Sequence, residues 1–403
     1  MRILFVHQNF PGQFLNLAPA LAAQGHEVTA LTAERNRRAS PVRTFRYRDP
    51  APVAATGPAR TYAEAVERGT RAAHAAEQIR SRHGLDPDVV FGHGGWGETL
   101  FLREVFPRAR HLCYAEFHYR PTGADTGFDP EFQPDGLAAR IAVTARAAHL
   151  LQSVILSDAA LSPTAWQAST FPPEARAKIE VIHDGIDTVR VRPDPAARVA
   201  LADGTVLRAG DEILTYVARN IEPYRGAHIF LRALPAVLAA RPGARVVIVG
   251  GTDTSYGPKP AGGGSWKDRL WPGIEGRLDA SRVHFLGRVP YPTFLSLLQV
   301  TRVHAYLTYP FVLSWSLLEA MAAGASVVAS RTAPVEEVIE DGVTGRLVDF
   351  FDVGAWSDAL ASALADPVRD DPLRAAARAA VIAGHDLSTV CLPRLVRFTA
   401  GAA

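Results

Sequence analysis

The stretch Ile213-Leu214-Thr215-Tyr216-Val217-Ala218-Arg219-Asn220-Ile221-Glu222-Pro223-Tyr224-Arg225-Gly226 decides the fold. Residues 213–217 read as a strand buried on both faces, because their apolar character is continuous rather than alternating. Arg219 ends that strand, and Arg225 stands six residues on, where the next helix begins. A strand passing through a short polar loop into a helix is half of a βαβ unit, which implies a parallel sheet. Working outward, the same alternation predicts further strands at 246–249, 283–286, 303–307, 327–330 and 345–348. Upstream it predicts strands at 3–6, 28–31, 89–92, 112–117, 159–162 and 179–182. After the first strand, Phe14, Leu17, Ala18 and Leu21 share one helix face, and Gly25 stops that helix.

Between the two series, residues 187–197 are rich in Arg, Pro and Asp and carry no periodicity, and Asp203-Gly204 signals a two-residue hairpin. The chain is therefore expected to form two doubly wound α/β domains, 1–190 and 200–384. A C-terminal helix near 385–403 is expected to pack back on the first. Residues 257–276, with Gly262, Gly263, Gly264, Trp266 and Trp271, read as one long irregular insertion. Two such domains are expected to bind ligands in a cleft at the carboxyl ends of their strands, so the residues that follow strands are the ones to search.

The 403 residues hold 43 basic and 41 acidic side chains, a net charge of +2. That balance argues against nucleic acid as the partner. Cys113 and Cys391 are too few for a disulfide framework, which points to a reducing, cytoplasmic setting. The amino terminus reads as a strand rather than a signal peptide, and no apolar run approaches the roughly 18 residues that span a bilayer. Arg35, Arg37, Arg38, Arg43, Arg46 and Arg48 form a basic stretch, which reads either as a solvated face or as a surface for a polyanionic acceptor or for anionic lipid at the inner face of a membrane.

Five strand ends carry chemistry. Asn9-Phe10-Pro11-Gly12-Gln13 follows the first strand, where Gly12 permits close backbone approach to an anion at a helix amino terminus. No G-x-G-x-x-G is present there, so a dinucleotide fingerprint is absent. Arg219 and Arg225 offer planar donor forks suited to a diphosphate. Ser314 is a candidate N-cap and Gly324 a C-terminal stop; the amides of Trp315 and Ser316 are expected to be open, and Glu319 sits one turn in. In the strand expected at 112–117, Glu116 and His118 lie two apart and so on one face, while His93 and Gly95 follow an earlier strand. Asp86-Pro87-Asp88 looks like a metal-binding pair, but it precedes a strand and reads as a turn.

In combination, these segments resemble the family-4 retaining glycosyltransferases (glycosyltransferase group 1). The resemblance rests on Gly12, on Val181-Ile182-His183-Asp184-Gly185-Ile186-Asp187, on Arg219 with Arg225, on Phe285-Leu286-Gly287-Arg288-Val289 and on the helix bearing Glu319. It implies the GT-B fold of two Rossmann-like domains. It also implies transfer of a sugar, with retention, from a nucleotide-diphosphate sugar to the hydroxyl of a glycan, lipid-linked or small-molecule acceptor, with no metal. Arg219, Arg225, Gly12 and the Trp315 and Ser316 amides would hold the diphosphate. Glu319 would take the ribose hydroxyls, and backbone near Arg288 and Val289 would frame the base. Glu116 and His118 would act in catalysis close to the reacting sugar, together with Arg219 and Arg225, and His93 and Gly95 would stand on the acceptor side. One departure is Phe311, where the family has a Glu that contacts the donor sugar. Two other readings stay open: a nucleotide-sugar epimerase or phosphorylase of similar architecture, and a catalytically silent sugar-nucleotide binding protein.

Overall fold

The computed structural model describes residues 1–132 and 136–401. The chain divides into two compact units, one of Met1–Phe128, Pro134–Gly185 and Ser388–Ala403, the other of Asp129–Gln133 and Ile186–Leu387.

Among the described residues the first unit holds seven strands: β1 (Arg2–Val6), β2 (Glu27–Ala33), β3 (Arg43–Tyr47), β4 (Val89–His93), β5 (Arg110–Tyr114), β6 (Ala159–Ser162) and β7 (Ile179–Val181). All pair in parallel, in the order β3-β2-β1-β4-β5-β6-β7. β1 shows why the apolar run is continuous. Its Ile3 and Phe5 join the core under the helices Leu17–Ala23 and Leu392–Ala400, while Leu4 and Val6 join the opposite core with Tyr47 and Ala72. Successive side chains of a strand point to opposite faces, so a sheet covered on both sides needs both sets apolar.

The second unit holds the hairpin β8 (Arg198–Ala200) and β9 (Val206–Arg208), then β10 (Ile213–Asn220), β11 (Arg245–Gly251), β12 (Val283–Gly287), β13 (Val303–Tyr306), β14 (Ser326–Ser330) and β15 (Arg346–Val348). The six-stranded parallel sheet has the order β12-β11-β10-β13-β14-β15. In each unit the order runs outward from the first strand and then reverses, as in a Rossmann fold. The loops flanking the reversal are where such sheets bind ligands. Those loops follow β1 and β4 in one unit, and β10 and β13 in the other.

Four expectations differ from the structure. The Asp203-Gly204 turn sits inside a five-residue connection, with Leu201 N–H bonding Thr205 O at 2.8 Å, rather than a two-residue hairpin. Residues 257–276 are not irregular throughout: Ser265 and Asp268 form a capping box that starts the helix Trp266–Leu270, and Pro272–Glu275 adds another turn. The helix expected from Phe14 begins only at Leu17, after the 3₁₀ turn Gly12–Phe14. Part of the basic stretch is the edge strand β3, which turns Arg43 and Arg46 to solvent while Tyr47 is buried. Asp86 and Asp88 both pair with Arg2 in the connection that leads into β4.

Candidate functional site

In the first unit, β1 delivers His7 and β4 delivers His93 to the two sides of the reversal point. His7 Nδ1 accepts the Asn9 N–H at 2.9 Å, so its Nε2 carries the proton and donates to Gln13 Oε1 at 2.9 Å. Gln13 Nε2 in turn donates to Glu116 Oε1 at 3.0 Å. His93 Nδ1 accepts the Gly95 N–H at 3.0 Å, which leaves Nε2 protonated and facing Glu116 Oε2 at 3.6 Å. The His93 ring is stacked between Trp96 (4.3 Å) and Tyr114 (5.2 Å), with His7 edge-on at 5.3 Å. Gly12 is required here: its φ is +49°, and a Cβ would lie 2.5 Å from His7 Nε2.

Glu116 and His118 therefore do not share a strand face. β5 ends at Tyr114, both residues lie in the following loop, and alternation no longer applies. Glu116 is brought to Gln13 and His93. His118 instead has its backbone N–H on Thr170 Oγ1 at 3.1 Å and its ring against Phe171. His7 and Gln13 were missed in the sequence. The available signal was position, since His7 follows β1 directly.

Burial, and then the neighbouring His93, pull the His7 imidazole down to about 3. The unfolded chain binds this proton near pH 6.5, so the contribution is complete above that pH and is lost as pH falls toward 3. Between pH 6.5 and pH 5 the expected loss is about 2 kcal/mol. Urea midpoints should show it, and His7→Gln should flatten the slope by about 1.4 kcal/mol per pH unit. An unchanged slope would remove His7 as its source.

In the second unit, β10 ends with Arg219 exposed, its guanidinium without a partner among the described residues. Arg225 differs from the expectation of two converging ligand-facing cations. It is buried in the 3₁₀ turn Pro223–Arg225, with Nη1 donating to Thr308 Oγ1 (2.8 Å) and Val312 O (2.9 Å). A guanidinium taken out of water needs such partners. It lies 5.1 Å from the centre of the Tyr256 ring and 5.7 Å from that of Phe311. Phe311 is itself buried against Tyr224 and Tyr256. Glu222, also buried, accepts the N–H groups of Ser255, Tyr256 and Gly257 and so ties residues 255–257 to the end of β10. Arg288 bonds Asn220 Oδ1 at 3.0 Å and pairs with Asp253 at 2.9 Å, while Val289 packs on the core beside it.

Beyond β13, Ser314 caps the helix Trp315–Ala322 as expected. Trp315 is exposed, but the Ser316 amide is engaged by Ser314 Oγ at a long 3.4 Å, so it is not open in the way the sequence suggested. Glu319 is buried and accepts Tyr291 Oη–H at 2.8 Å; burial raises its carboxyl above the usual range. Arg190 covers the Tyr291 ring at 4.7 Å. Arg219 lies at the end of β10, and Arg225, Arg288, Ser314 and Glu319 belong to the loops and helix that follow β10, β12 and β13 in the same parallel sheet. Among the described residues, no group of three or more His, Cys, Asp or Glu side chains could hold a metal ion. No helix among them is long and apolar enough to cross a membrane.

Comparison with known proteins matches residues 24–191 to the glycosyl transferase family 4 group and residues 202–380 to the glycosyl transferases group 1. The D-inositol 3-phosphate glycosyltransferase of Mycobacterium avium (strain 104) is 35% identical over 193 residues, 47% of this chain and 42% of that protein. Its counterpart from Mycobacterium tuberculosis (strain F11) is 32% identical over 186 residues, 46% of this chain and 35% of that protein. The matches thus take in less than half the length of these relatives. Among solved structures, sucrose-phosphate synthase from Thermosynechococcus elongatus superposes with a TM-score of 0.75 at 19% identity, covering 100% of both chains. Anabaena HepE in complex with UDP-glucose gives 0.67 at 14% identity, again over 100% of both. These likenesses establish the fold: two Rossmann-like domains of the GT-B type.

Proposed function

Because the chain belongs to the group 1, family-4 glycosyltransferases, we propose that it moves a sugar from a nucleotide-diphosphate sugar to an acceptor hydroxyl, with retention at the anomeric carbon. The observation that carries this reading is the edge formed by the ends of β10 and β13. There an unpaired Arg219 stands on the same strand-end face as the capped helix Trp315–Ala322 and the buried Glu319. Fixed positive charge at a departing diphosphate is the largest contribution such a reaction needs from the protein. In this reading Arg219 meets the diphosphate directly. Arg225 adds charge from behind and holds residues 308–312 in place. Glu319, fixed by Tyr291, accepts the ribose hydroxyls, and the backbone at Arg288 and Val289 borders the base. Phe311 leaves the donor sugar without the family's carboxylate, so other groups meet its hydroxyls. No metal takes part. On the acceptor side, Glu116 acts with His93 beside Gly12 and Gly95.

UDP and UDP-glucose, bound in the HepE structures, are the first donors to try, and D-inositol 3-phosphate, named in the relatives, the first acceptor. Nucleotide diphosphates and their sugars should be screened by thermal shift. A ligand at about 100 times its Kd adds about 2.7 kcal/mol, which for a domain of this size is about 8 °C. Transfer with the cognate donor should then give a product of retained configuration by NMR. No shift with any nucleotide, or an inverted product, would overturn the proposal. Conversion of donor without acceptor would point to an epimerase or phosphorylase, and binding without turnover to a silent binding protein.

A further inference from the structure

A second concavity lies wholly within the second unit, and no residue given a donor role lines it. It encloses about 820 Å³ and is bounded by the helix Ala227–Ala240, the two short helices Trp266–Leu270 and Pro272–Glu275, and residues 131–132. Its size suits a small organic ligand rather than a single ion.

The charge on its walls is one-sided. Arg232, Lys259, Arg269 and Arg277 line it, against the single carboxylate of Glu131. Lys259 and Arg277 make no hydrogen bond or ion pair among the described residues, and Arg269 reaches only Ala261 O, at 3.5 Å. Gathering four cations in one concavity is unfavourable unless an anion offsets them. The one anion present shows how the wall takes a carboxylate: Arg232 grips both Glu131 oxygens, at 2.8 and 2.5 Å. This two-pronged geometry is the one a guanidinium uses for phosphate as well. Behind the charges the wall is apolar, with Phe132 edge-on to both Trp266 (5.1 Å) and His228 (4.9 Å). His228 is 1% exposed, and its Nδ1 has no hydrogen-bond partner. An apolar floor with a rim of unpaired cations suits a ring-bearing anion.

We propose that this concavity is a second anion site, which takes an organic phosphate of sugar-phosphate size independently of the donor diphosphate. The cations Lys259, Arg269 and Arg277 meet the phosphate. Arg232 exchanges Glu131 for it or shares the two, and the face of Phe132 and Trp266 takes the carbon skeleton. The site goes beyond the proposed transfer reaction and does not require it.

Equilibrium dialysis of the full chain against labelled inorganic pyrophosphate tests the proposal. Four proteins are compared: the unaltered chain, Arg219→Ala, the double variant Lys259→Ala/Arg277→Ala, and a charge-matched control, Arg43→Ala/Arg46→Ala, on the exposed edge strand. The expected result is a binding component that persists in Arg219→Ala and in the control, and weakens at least about tenfold in Lys259→Ala/Arg277→Ala. Lys259, Arg277, Arg43 and Arg46 are all exposed, so the variants should melt like the parent. Binding unchanged in Lys259→Ala/Arg277→Ala, or weakened equally in the control, would overturn the proposal. Either outcome leaves donor turnover to be judged by its own assay.

Discussion

Arg219→Ala is expected to lower donor turnover by about 100-fold or more while leaving the melting temperature within about a degree of the parent. The magnitude follows from removing one preorganised charge from a departing oxyanion. The unchanged stability follows from geometry, because Arg219 is exposed at the end of β10 and bonds nothing in the described protein. Arg225→Ala makes the contrast. Its guanidinium holds Thr308 and Val312 from inside the unit, so its loss should reduce both turnover and stability. An exposed arginine elsewhere, such as Arg43 on the edge strand, should change turnover by no more than about twofold when replaced by Ala. Steady-state kinetics with melting curves on the three variants separate the roles. Full activity in Arg219→Ala would remove that residue from the donor site.

Gly226→Ala is expected to be strongly destabilising although it adds a single methyl group. Gly226 links Arg225 to the helix Ala227–Ala240 with φ +66°, a left-handed conformation that costs an L-residue about 1–2 kcal/mol. Its Cβ would also fall 2.3 Å from Leu307 Cβ and 2.7 Å from Leu307 Cδ2. Overpacking of this kind costs about 1–3 kcal/mol more. The sum is about 3 kcal/mol, or about 10 °C for a unit of this size. Gly342→Ala isolates the first part, because Gly342 has φ +75° and open space where a Cβ would go. It should cost less than half as much in a urea or thermal titration. Equal losses would mean that Leu307 gives way freely and that contact adds nothing.

The two sheets were legible because their strands are buried on both faces and so read as continuous apolar runs. β1, β4, β10 and β14 are seen directly in this way. β3 was not, since this short edge strand leaves Arg43 and Arg46 exposed on its two faces, buries only Tyr47 fully, and looks like a charged loop. Position after a strand was enough to expect Arg219, Ser314 and Glu319 at the strand ends of one sheet, where they lie. It failed for contacts made by topology rather than by order. Gln13 and Glu116 are 103 positions apart, and they meet because β1 and β5 both lie next to β4. The burial of Arg225 was hidden for the same reason. Its partners come from the loop beyond β13, 83 and 87 residues later, and only the adjacency of β10 and β13 brings them over it.

The core of the first unit includes Leu395 and Phe398, from the helix Leu392–Ala400, packed with Phe5, Phe91 and Leu112. A ribosome makes that helix only after every residue of the second unit. Domains usually fold in the order in which they emerge, but here the unit that begins first is completed last. Until then the face of Phe91 that Phe398 covers stays open to water. For this chain the interval between synthesis of β4 and synthesis of residues 392–400 is a period of exposed apolar surface, and chaperone demand should track how long it lasts.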